Sequence, residues 1–213
     1  DRPRYETLRD MIRDIADKYE DAPAFRYHLK PGDPDTVKSF RTFEQDINKF
    51  GTGLMELGVQ GSHIVIIGNN CYEWAVSHNA VIGGLGVSVP LDRQLPGPEV
   101  ISLSERGKAE VFIYGEHHHE IARAVAAINS RIRYFICMQD GIITDQDKKR
   151  DARFIEYSSV RENGERLLNE GQRDYLDAVI DPKAMSSLLF TSGTTAMSKG
   201  VMLSQNNVTS NVH

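Results

Sequence analysis

Short apolar segments rich in β-branched residues recur along this chain, and helical patterns separate most of them. The apolar segments are residues 63–67, 87–91, 111–114, 134–138 and 187–190. The helical patterns cover residues 70–82, 98–107, 119–129 and 158–170. Because the apolar runs are continuous rather than alternating with polar residues, we expect the strands to be buried on both faces. The pattern predicts an α/β fold, a mostly parallel sheet flanked by helices, with residues 1–213 forming a single unit.

Capping residues mark the ends of two predicted helices. Thr42, with Gln45 three residues later, forms a predicted capping box, and Gly58 ends the helix that begins there. Asn70 and Glu73 are predicted to cap the next helix.

The remaining local predictions concern the first forty residues and one polar stretch. A helix is predicted over residues 5–19, and two strands over residues 24–29 and 37–41. Residues 139–153 are mostly polar and are predicted to form a loop, in which the basic run 148–150 is solvated.

Charge, hydropathy and cysteine content argue against several classes of function. The formal net charge is -5 and the pI about 5.8, so the chain lacks the basic excess that nucleic-acid binding requires. No segment approaches the ~20 apolar residues that cross a bilayer. Cys71 and Cys137 are the only cysteines, which predicts reduced thiols and a cytoplasmic location, with Cys137 buried. The oligomeric state cannot be read from the sequence.

A few polar and aromatic residues outside these patterns also invite interpretation. Residues 117–120 read His-His-His-Glu, but consecutive helical positions point in different directions, so we predict a solvated helix N-terminus rather than a metal site. Asp92 and Arg93 follow a strand and are candidates for an ion pair near a pocket. His28 is interpreted as a structural strand residue and Trp74 as a core or interface aromatic.

The segment at residues 191–200 carries the strongest chemical signal. It reads Thr-Ser-Gly-Thr-Thr-Ala-Met-Ser-Lys-Gly. Gly193 permits close approach of the backbone to a ligand, successive N–H groups and hydroxyls supply donors, and Lys199 supplies a positive charge. These features suit a polyanion such as a chain of phosphates. A Ser/Thr/Gly-rich surface linker is the alternative, and the residues alone leave both interpretations open.

The spacing within this segment is not that of a Walker A motif. That motif requires G-x-x-x-x-G-K-[ST] opening a helix. Here Lys199 comes six residues after Gly193 and is followed by Gly200. Residues 201–203 are predicted to form a strand, and Ser204 is a candidate cap for a helix beyond it. The segment is therefore predicted to join two strands.

The segment resembles the signature phosphate-binding loop of the adenylate-forming superfamily, which includes acyl-CoA synthetases. The usual form is T-S-G-T-T-G-x-P-K-G-V, and this chain matches it at residues 191–195 and 199–201. The helix opening at Thr42 and the Tyr72-Glu73-Trp74 run also resemble the early region of these enzymes. Residues 89–92 and the helix after Pro98 are similar to the long-chain fatty acyl-CoA synthetase branch. The resemblance covers essentially the whole chain but only the first third or so of such an enzyme, so we expect an N-terminal piece of a large AMP-binding domain.

Three positions depart from the usual pattern. Ala196 stands in place of a glycine, Ser198 in place of a proline, and Gln205 in place of a histidine. Alanine is strained wherever the glycine has positive φ, and loss of proline frees the backbone. Their effect on activity is not predictable from the sequence.

The resemblance implies a mechanism and roles for individual residues. A carboxylic acid, expected to be a fatty acid, is activated by ATP with Mg²⁺ as acyl-adenylate and is then transferred to the thiol of CoA. Lys199 is implied as the catalytic cation, and Thr191 is implied near the metal. The residues implied to bind ATP are Thr191, Ser192, Gly193, Thr194, Thr195, Lys199 and Gly200.

Other functional classes remain open at this point. The adenine contacts, the acidic metal ligand and the second catalytic lysine of the family follow this loop, so we expect residues 1–213 alone to be inactive. A non-catalytic nucleotide- or phosphate-binding module, or a pseudoenzyme, is the alternative from another class. A bare folding unit is a third, and an aryl- or amino-acid-adenylating enzyme is an alternative within the family.

Overall fold

Helices and strands alternate through residues 5–29, 32–191 and 198–211, which are the residues that the computed structural model describes. The helices are α1 Leu8–Tyr19, α2 Phe40–Glu56, α3 Tyr72–Ala80, α4 Gly97–Arg106, α5 His119–Ile128, α6 Asp145–Arg150, α7 Tyr157–Asn169 and α8 Gln205–Thr209. The strands are β1 Pro23–Tyr27, β2 Thr36–Ser39, β3 His63–Ile67, β4 Val87–Leu91, β5 Ala109–Tyr114, β6 Tyr134–Cys137, β7 Phe154–Glu156, β8 Met185–Thr191 and β9 Lys199–Ser204. A π-helical segment, Val81–Leu85, continues α3.

Seven strands form one sheet in the order β7-β6-β5-β3-β4-β8-β9. All neighbouring pairs are parallel except β8 and β9, which form an antiparallel hairpin at the edge. The strands β1 and β2 make a separate antiparallel pair. The predicted α/β fold with a mostly parallel sheet flanked by helices is confirmed.

The central strand β3 shows why its sequence is continuously apolar. Ile64 and Ile66 pack into a core with Phe50 of α2, whereas Val65 and Ile67 pack into a second core on the opposite face. All four β3 side chains are fully buried. A parallel strand covered by helices on both faces has no solvent side, so no polar alternation appears.

Helices α2 and α7 cross at two glycines. A Cβ on Gly164 would collide with the carbonyl oxygen of Lys49, and one on Gly53 would collide with the carbonyl oxygen of Val160. The two backbones therefore approach more closely than any side chain allows. This contact packs α7 directly against α2.

The predicted start of α2 is wrong. The helix begins at Phe40, and its N-cap is Ser39, whose Oγ accepts a hydrogen bond from the Thr42 backbone N–H at 3.1 Å. Ser39 has extended backbone angles as the last residue of β2, which suits an N-cap. Thr42 thus occupies the first turn, and β2 is shorter than predicted. The predicted end is confirmed, because Gly58 follows the helix with φ of 69°.

Two further boundaries differ from prediction. Helix α3 begins at Tyr72 after Cys71, which makes no side-chain capping hydrogen bond, rather than after Asn70. The predicted loop at 139–153 contains the helix α6, with the basic run 148–150 in its last turn. A capping box between Thr144 and Asp147 starts α6, and such a short polar helix has no apolar periodicity to reveal it.

His28 lies beyond the end of β1 and is exposed, so its prediction as a strand residue is wrong; its Nδ1 is 2.8 Å from the Asp33 carbonyl oxygen. Trp74 is partly buried against the core, and Cys137 is buried, as predicted. In the described ranges no helix is both long enough and apolar enough to cross a bilayer. The cytoplasmic location stays a prediction.

Candidate functional site

The glycine- and hydroxyl-rich segment connects the two strands of the edge hairpin, as predicted. Thr191 ends β8 and pairs across the ladder with Lys199, the first residue of β9. The Thr191 hydroxyl is 3.5 Å from the Lys199 carbonyl oxygen. Because β8 runs parallel to β4, it ends at the carboxyl edge of the sheet, which is the edge where the strands β3, β4, β5 and β6 also end. Parallel α/β sheets commonly bind ligands at this edge.

Most of the predicted phosphate-binding residues fall outside the described ranges. These are Ser192, Gly193, Thr194 and Thr195, together with Ala196. The described residues of the segment are Thr191, Ser198, Lys199 and Gly200. The structure thus brings Thr191 and Lys199 together at the end of the hairpin where β8 leads into the connecting segment, which we call the mouth of the hairpin.

Lys199 is exposed at this mouth and makes no ion pair within the described part of the chain. Its charge is therefore available to an anionic ligand. Gly200 packs against the inner side of the hairpin, where an added Cβ would lie 3.1 Å from Leu188 Cδ1 and 3.5 Å from Phe190 Cε1. Glycine here lets β9 lie close against β8.

Ser198, which stands in place of the family's proline, is held by helix α4. Its carbonyl oxygen accepts a hydrogen bond from Arg106 Nη2 at 2.6 Å, and its Oγ lies 3.3 Å from Glu99 Oε1. The Arg106 guanidinium also lies 5.3 Å from the centre of the Phe190 ring. These contacts fix the residue before Lys199, and no sequence signal linked α4 to the segment.

Gln205, in place of the usual histidine, has a structural role. Its side chain is 1% exposed. Oε1 accepts a hydrogen bond from the Leu8 backbone N–H at 3.0 Å, and Nε2 donates to the Ile82 carbonyl oxygen at 2.8 Å. One amide therefore joins the starts of α1 and α8 to the π-helical segment.

A second concavity lies on the same sheet edge, at the point where the chain order reverses. The chain places β4 on one side of β3 and β5 on the other. Immediately beyond β3, β5 and β6 is a cavity of about 190 Å³ lined by polar residues, among them Asn69, Glu116, His118 and Gln139. Such a reversal is a favoured ligand position in open α/β sheets.

The prediction that the histidine run forms a solvated helix start is wrong for two of its three histidines. His117 is exposed, but His118 and His119 are 5% and 8% exposed. His118 Nε2 donates to the Arg93 carbonyl oxygen at 3.0 Å, which leaves its buried Nδ1 without a hydrogen-bond partner. Helical geometry alone could not show this burial.

His119 belongs to a buried polar network. Its Nδ1 accepts from the Tyr114 hydroxyl at 2.9 Å, and its Nε2 donates to Asp147 at 3.3 Å. Burial alone would raise the pKa of Asp147, but hydrogen bonds from Thr144, Arg123 and His119 outweigh it and hold that pKa well below its usual range. The network fastens α6 to α5. In the described ranges no group of three or more His, Cys, Asp or Glu side chains is placed to hold a metal ion.

The predicted Asp92–Arg93 ion pair is not formed. Asp92 Oδ1 accepts from the Gln94 backbone N–H at 2.9 Å, and Arg93 Nη1 donates to Asn69 Oδ1 at 2.9 Å. Arg93 instead ties the turn after β4 to the turn after β3. Both turns lie at the carboxyl edge of the sheet, as Thr191 does.

The chain was compared with known proteins by sequence. The sequence model of a family described as AMP-binding enzyme matches residues 12–213. A chloroplastic long-chain-fatty-acid–[acyl-carrier-protein] ligase of Arabidopsis thaliana is 24% identical over 96% of this chain and 29% of its own length. A long-chain-fatty-acid–CoA ligase of Xenopus laevis is 24% identical over 95% of this chain and 27% of its own length. The chain thus spans less than a third of these relatives.

Solved structures show the same fold at low sequence identity. The A domain of a carboxylic acid reductase from Segniliparus rugosus, in complex with AMP and a co-purified carboxylic acid, superposes with a TM-score of 0.78 and 19% identity over 95% of this chain and 36% of that chain. A long-chain-fatty-acid–CoA ligase from Archaeoglobus fulgidus gives a TM-score of 0.76 and 18% identity over 98% of this chain and 38% of that chain.

Proposed function

Because the chain belongs to the AMP-binding enzyme family, we propose that it is part of an ATP-dependent ligase that activates a carboxylic acid as an acyl-adenylate. The single observation that carries this proposal is the pairing of Thr191 with Lys199 at the mouth of the edge hairpin. That pairing sets a hydroxyl and an exposed ammonium on either side of a segment rich in small donors. Residues 1–213 are proposed to lie within one AMP-binding domain.

The proposed reaction places demands that these residues can meet. A carboxylate oxygen attacks the α-phosphorus of ATP, and the bond to the pyrophosphate oxygen breaks, so negative charge grows on the leaving group. Positioned N–H donors, hydroxyls and a cation stabilise such charge. We assign the β- and γ-phosphates to Thr191, Ser192, Gly193, Thr194 and Thr195, with Gly200 shaping the hairpin. Lys199 is assigned to the leaving pyrophosphate.

The donor set at the strand end fits a magnesium ion that is bound mainly through ATP. Mg²⁺ keeps several waters and commonly takes only one or two protein oxygens besides substrate phosphates. The exposed Thr191 hydroxyl is a ligand of that kind. When bound, the ion would offset charge on the phosphates. Thr191 and Lys199 would then bracket the phosphate chain from its two sides.

A fatty acid is the proposed acid, and CoA is the proposed acceptor of the acyl group. The support is that the two curated relatives described above are named long-chain-fatty-acid ligases, one for an acyl carrier protein and one for CoA. A thiol acceptor is common to both names. The acid pocket is not assigned to residues of this chain.

Pyrophosphate exchange tests the proposal on the full-length protein that contains this chain. We expect ATP–pyrophosphate exchange that depends on a fatty acid, and a fall of tenfold or more in Lys199→Ala, equivalent to about 1.4 kcal/mol or more. Lys183→Ala, at an exposed lysine just before β8 and so at the opposite end of that strand from Thr191, is the matched control and should retain exchange. Unchanged exchange in Lys199→Ala would remove the assigned role. ATP binding without any exchange would favour the non-catalytic nucleotide-binding alternative.

A further inference from the structure

A polar cavity of about 250 Å³ lies apart from the hairpin, where β6 ends and α3 and α7 begin. Its wall is contributed by the β1–β2 pair, by α2 and by these two helix starts. It contains none of the residues assigned to ATP. Three tyrosines and five charged side chains line it, and the charged ones are Lys38, Asp46, Glu73, Asp140 and Arg161.

Three of the charged groups already have partners. Asp46 is 6% exposed, and it accepts a hydrogen bond from the Tyr72 hydroxyl at 2.8 Å. Lys38 Nζ lies 3.6 Å from the same carboxylate and 5.0 Å from the centre of the Tyr72 ring. Asp140 Oδ1 accepts from the Ser158 backbone N–H at 3.3 Å, in the first turn of α7. These groups form the fixed wall of the cavity.

The other two charged groups, Arg161 and Glu73, are opposite in sign and half-buried. Within the described ranges neither makes an ion pair, with the other or with a third residue. Glu165, one turn from Arg161 on α7, is paired with Lys49 at 2.7 Å. Half-buried charges without partners are unfavourable, and a ligand with complementary charges relieves both at once.

An aromatic surface lies beside Glu73 in the same cavity. The rings of Tyr27 and Tyr72 stack at 6.0 Å with an angle of 17°. Burial, with added repulsion from Glu73 and Asp46, raises the pKa of Tyr27 to about 12. Tyr27 is therefore a neutral phenol at physiological pH, near the carboxylates of Glu73 and Asp46. An ammonium group is favoured there both by the carboxylate and by the aromatic face.

We propose that this cavity binds a small zwitterion, such as an amino acid, whose carboxylate pairs with Arg161 and whose ammonium pairs with Glu73 beside Tyr27. The size is consistent with this class. A cavity of about 150 Å³ holds benzene, so the present volume accommodates about ten non-hydrogen atoms. A free acid or a free amine satisfies only one of the two unpaired charges.

The test uses the full-length protein that contains this chain, with glycine, 4-aminobutyrate and 6-aminohexanoate as probes and with butyrate and butylamine as matched half-ligands. Binding is measured by NMR titration at pH 7 and low salt. We expect at least one amino acid to bind saturably, and each half-ligand to bind at least tenfold more weakly. No binding of any amino acid at 50 mM, or butylamine binding as tightly as 4-aminobutyrate, would overturn the proposal.

Variants assign the two contacts. Arg161→Gln and Glu73→Gln should each weaken amino-acid binding at least tenfold, and Arg161→Lys, which keeps the charge, should recover part of that loss. The matched controls are Glu162→Gln, on the exposed side of α7, and Arg131→Gln, which precedes β6 and so lies at the opposite end of that strand from the cavity. Both should bind normally. Thermal unfolding of each variant checks its folding, and Arg161→Lys keeps the test valid if Arg161→Gln unfolds. Equal binding by Arg161→Gln, Glu73→Gln and the controls would contradict the assignment.

Discussion

The buried amide of Gln205 offers a sharp test of how the two ends of the described chain are joined. Gln205→Leu keeps a similar volume but leaves the Leu8 N–H and the Ile82 carbonyl without their partner. A buried polar group left unsatisfied costs about 1–3 kcal/mol. Two such groups, with some relaxation, give an expected loss of about 2–4 kcal/mol in the free energy of unfolding.

Urea unfolding of the 213-residue chain at 25 °C measures this loss directly. In thermal unfolding it corresponds to a fall in Tm of roughly 5–15 °C, from about 2–4 °C per kcal/mol for a domain of this size. Asn206→Ala changes the exposed neighbour and is the control, with little expected effect.

Gln205→Glu adds a test of direction. It keeps the acceptor for Leu8 but sets a carboxylate against the Ile82 carbonyl, so its loss relative to the wild type should be larger at pH 7 than at pH 4, where the protonated acid can donate again. A loss below about 0.5 kcal/mol in Gln205→Leu would refute the view that this amide supports the fold.

Three more predictions concern the helices around the sheet. Gly164→Ala should destabilise the chain by about 3 kcal/mol in urea unfolding, because its Cβ meets the Lys49 carbonyl, whereas Gly97→Ala, with its nearest neighbour at 3.8 Å, should be neutral; equal effects would contradict the close α2–α7 contact. Since the pKa of Asp147 is lowered on folding, its ionised carboxylate stabilises the fold above about pH 4, and this stabilisation is lost as the pH falls below that value. Between pH 5 and pH 2 the free energy of unfolding should therefore fall less in Asp147→Asn than in the wild type. If the proposed activity holds, Arg106→Gln should lower ATP–pyrophosphate exchange of the full-length protein several-fold, because it releases the Ser198 carbonyl next to Lys199; unaltered exchange would show that this anchor does not matter.

The strands β3 to β6 could be predicted because most of their side chains are buried on both faces of the sheet, whereas β7, a three-residue strand at its edge, was not predicted. The run at residues 63–67 is apolar throughout for that reason, and the structure places it at the centre of the sheet. The connection between two strands could be predicted because the apolar run at residues 201–203 follows Gly200 and is typical of a strand, but that the two strands pair antiparallel was not predicted. These are local signals, and local signals survive in a single sequence.

What the sequence could not show depends on partners far along the chain. The Ser198 carbonyl meets Arg106, which is 92 positions away, and Gln205 meets Leu8, which is 197 positions away. The burial of His119 depends on Asp147 in α6, a helix too short and polar to show a period. Spacing within one segment carries no information about such pairs.

The cross-strand pairing of Thr191 with Lys199 fixes the distance between the two ends of the segment that joins them. Bringing the ends of a loop together costs entropy that grows with the logarithm of its length. In this chain the β8–β9 ladder has already met that cost, so a ligand need not gather the two ends before it binds. The spacing of Thr191 and Lys199 is therefore independent of the side chains that lie between them in the sequence. A relative can therefore carry a different residue between Thr191 and Lys199, as this chain does at Ala196, while the β8–β9 ladder keeps Thr191 and Lys199 paired.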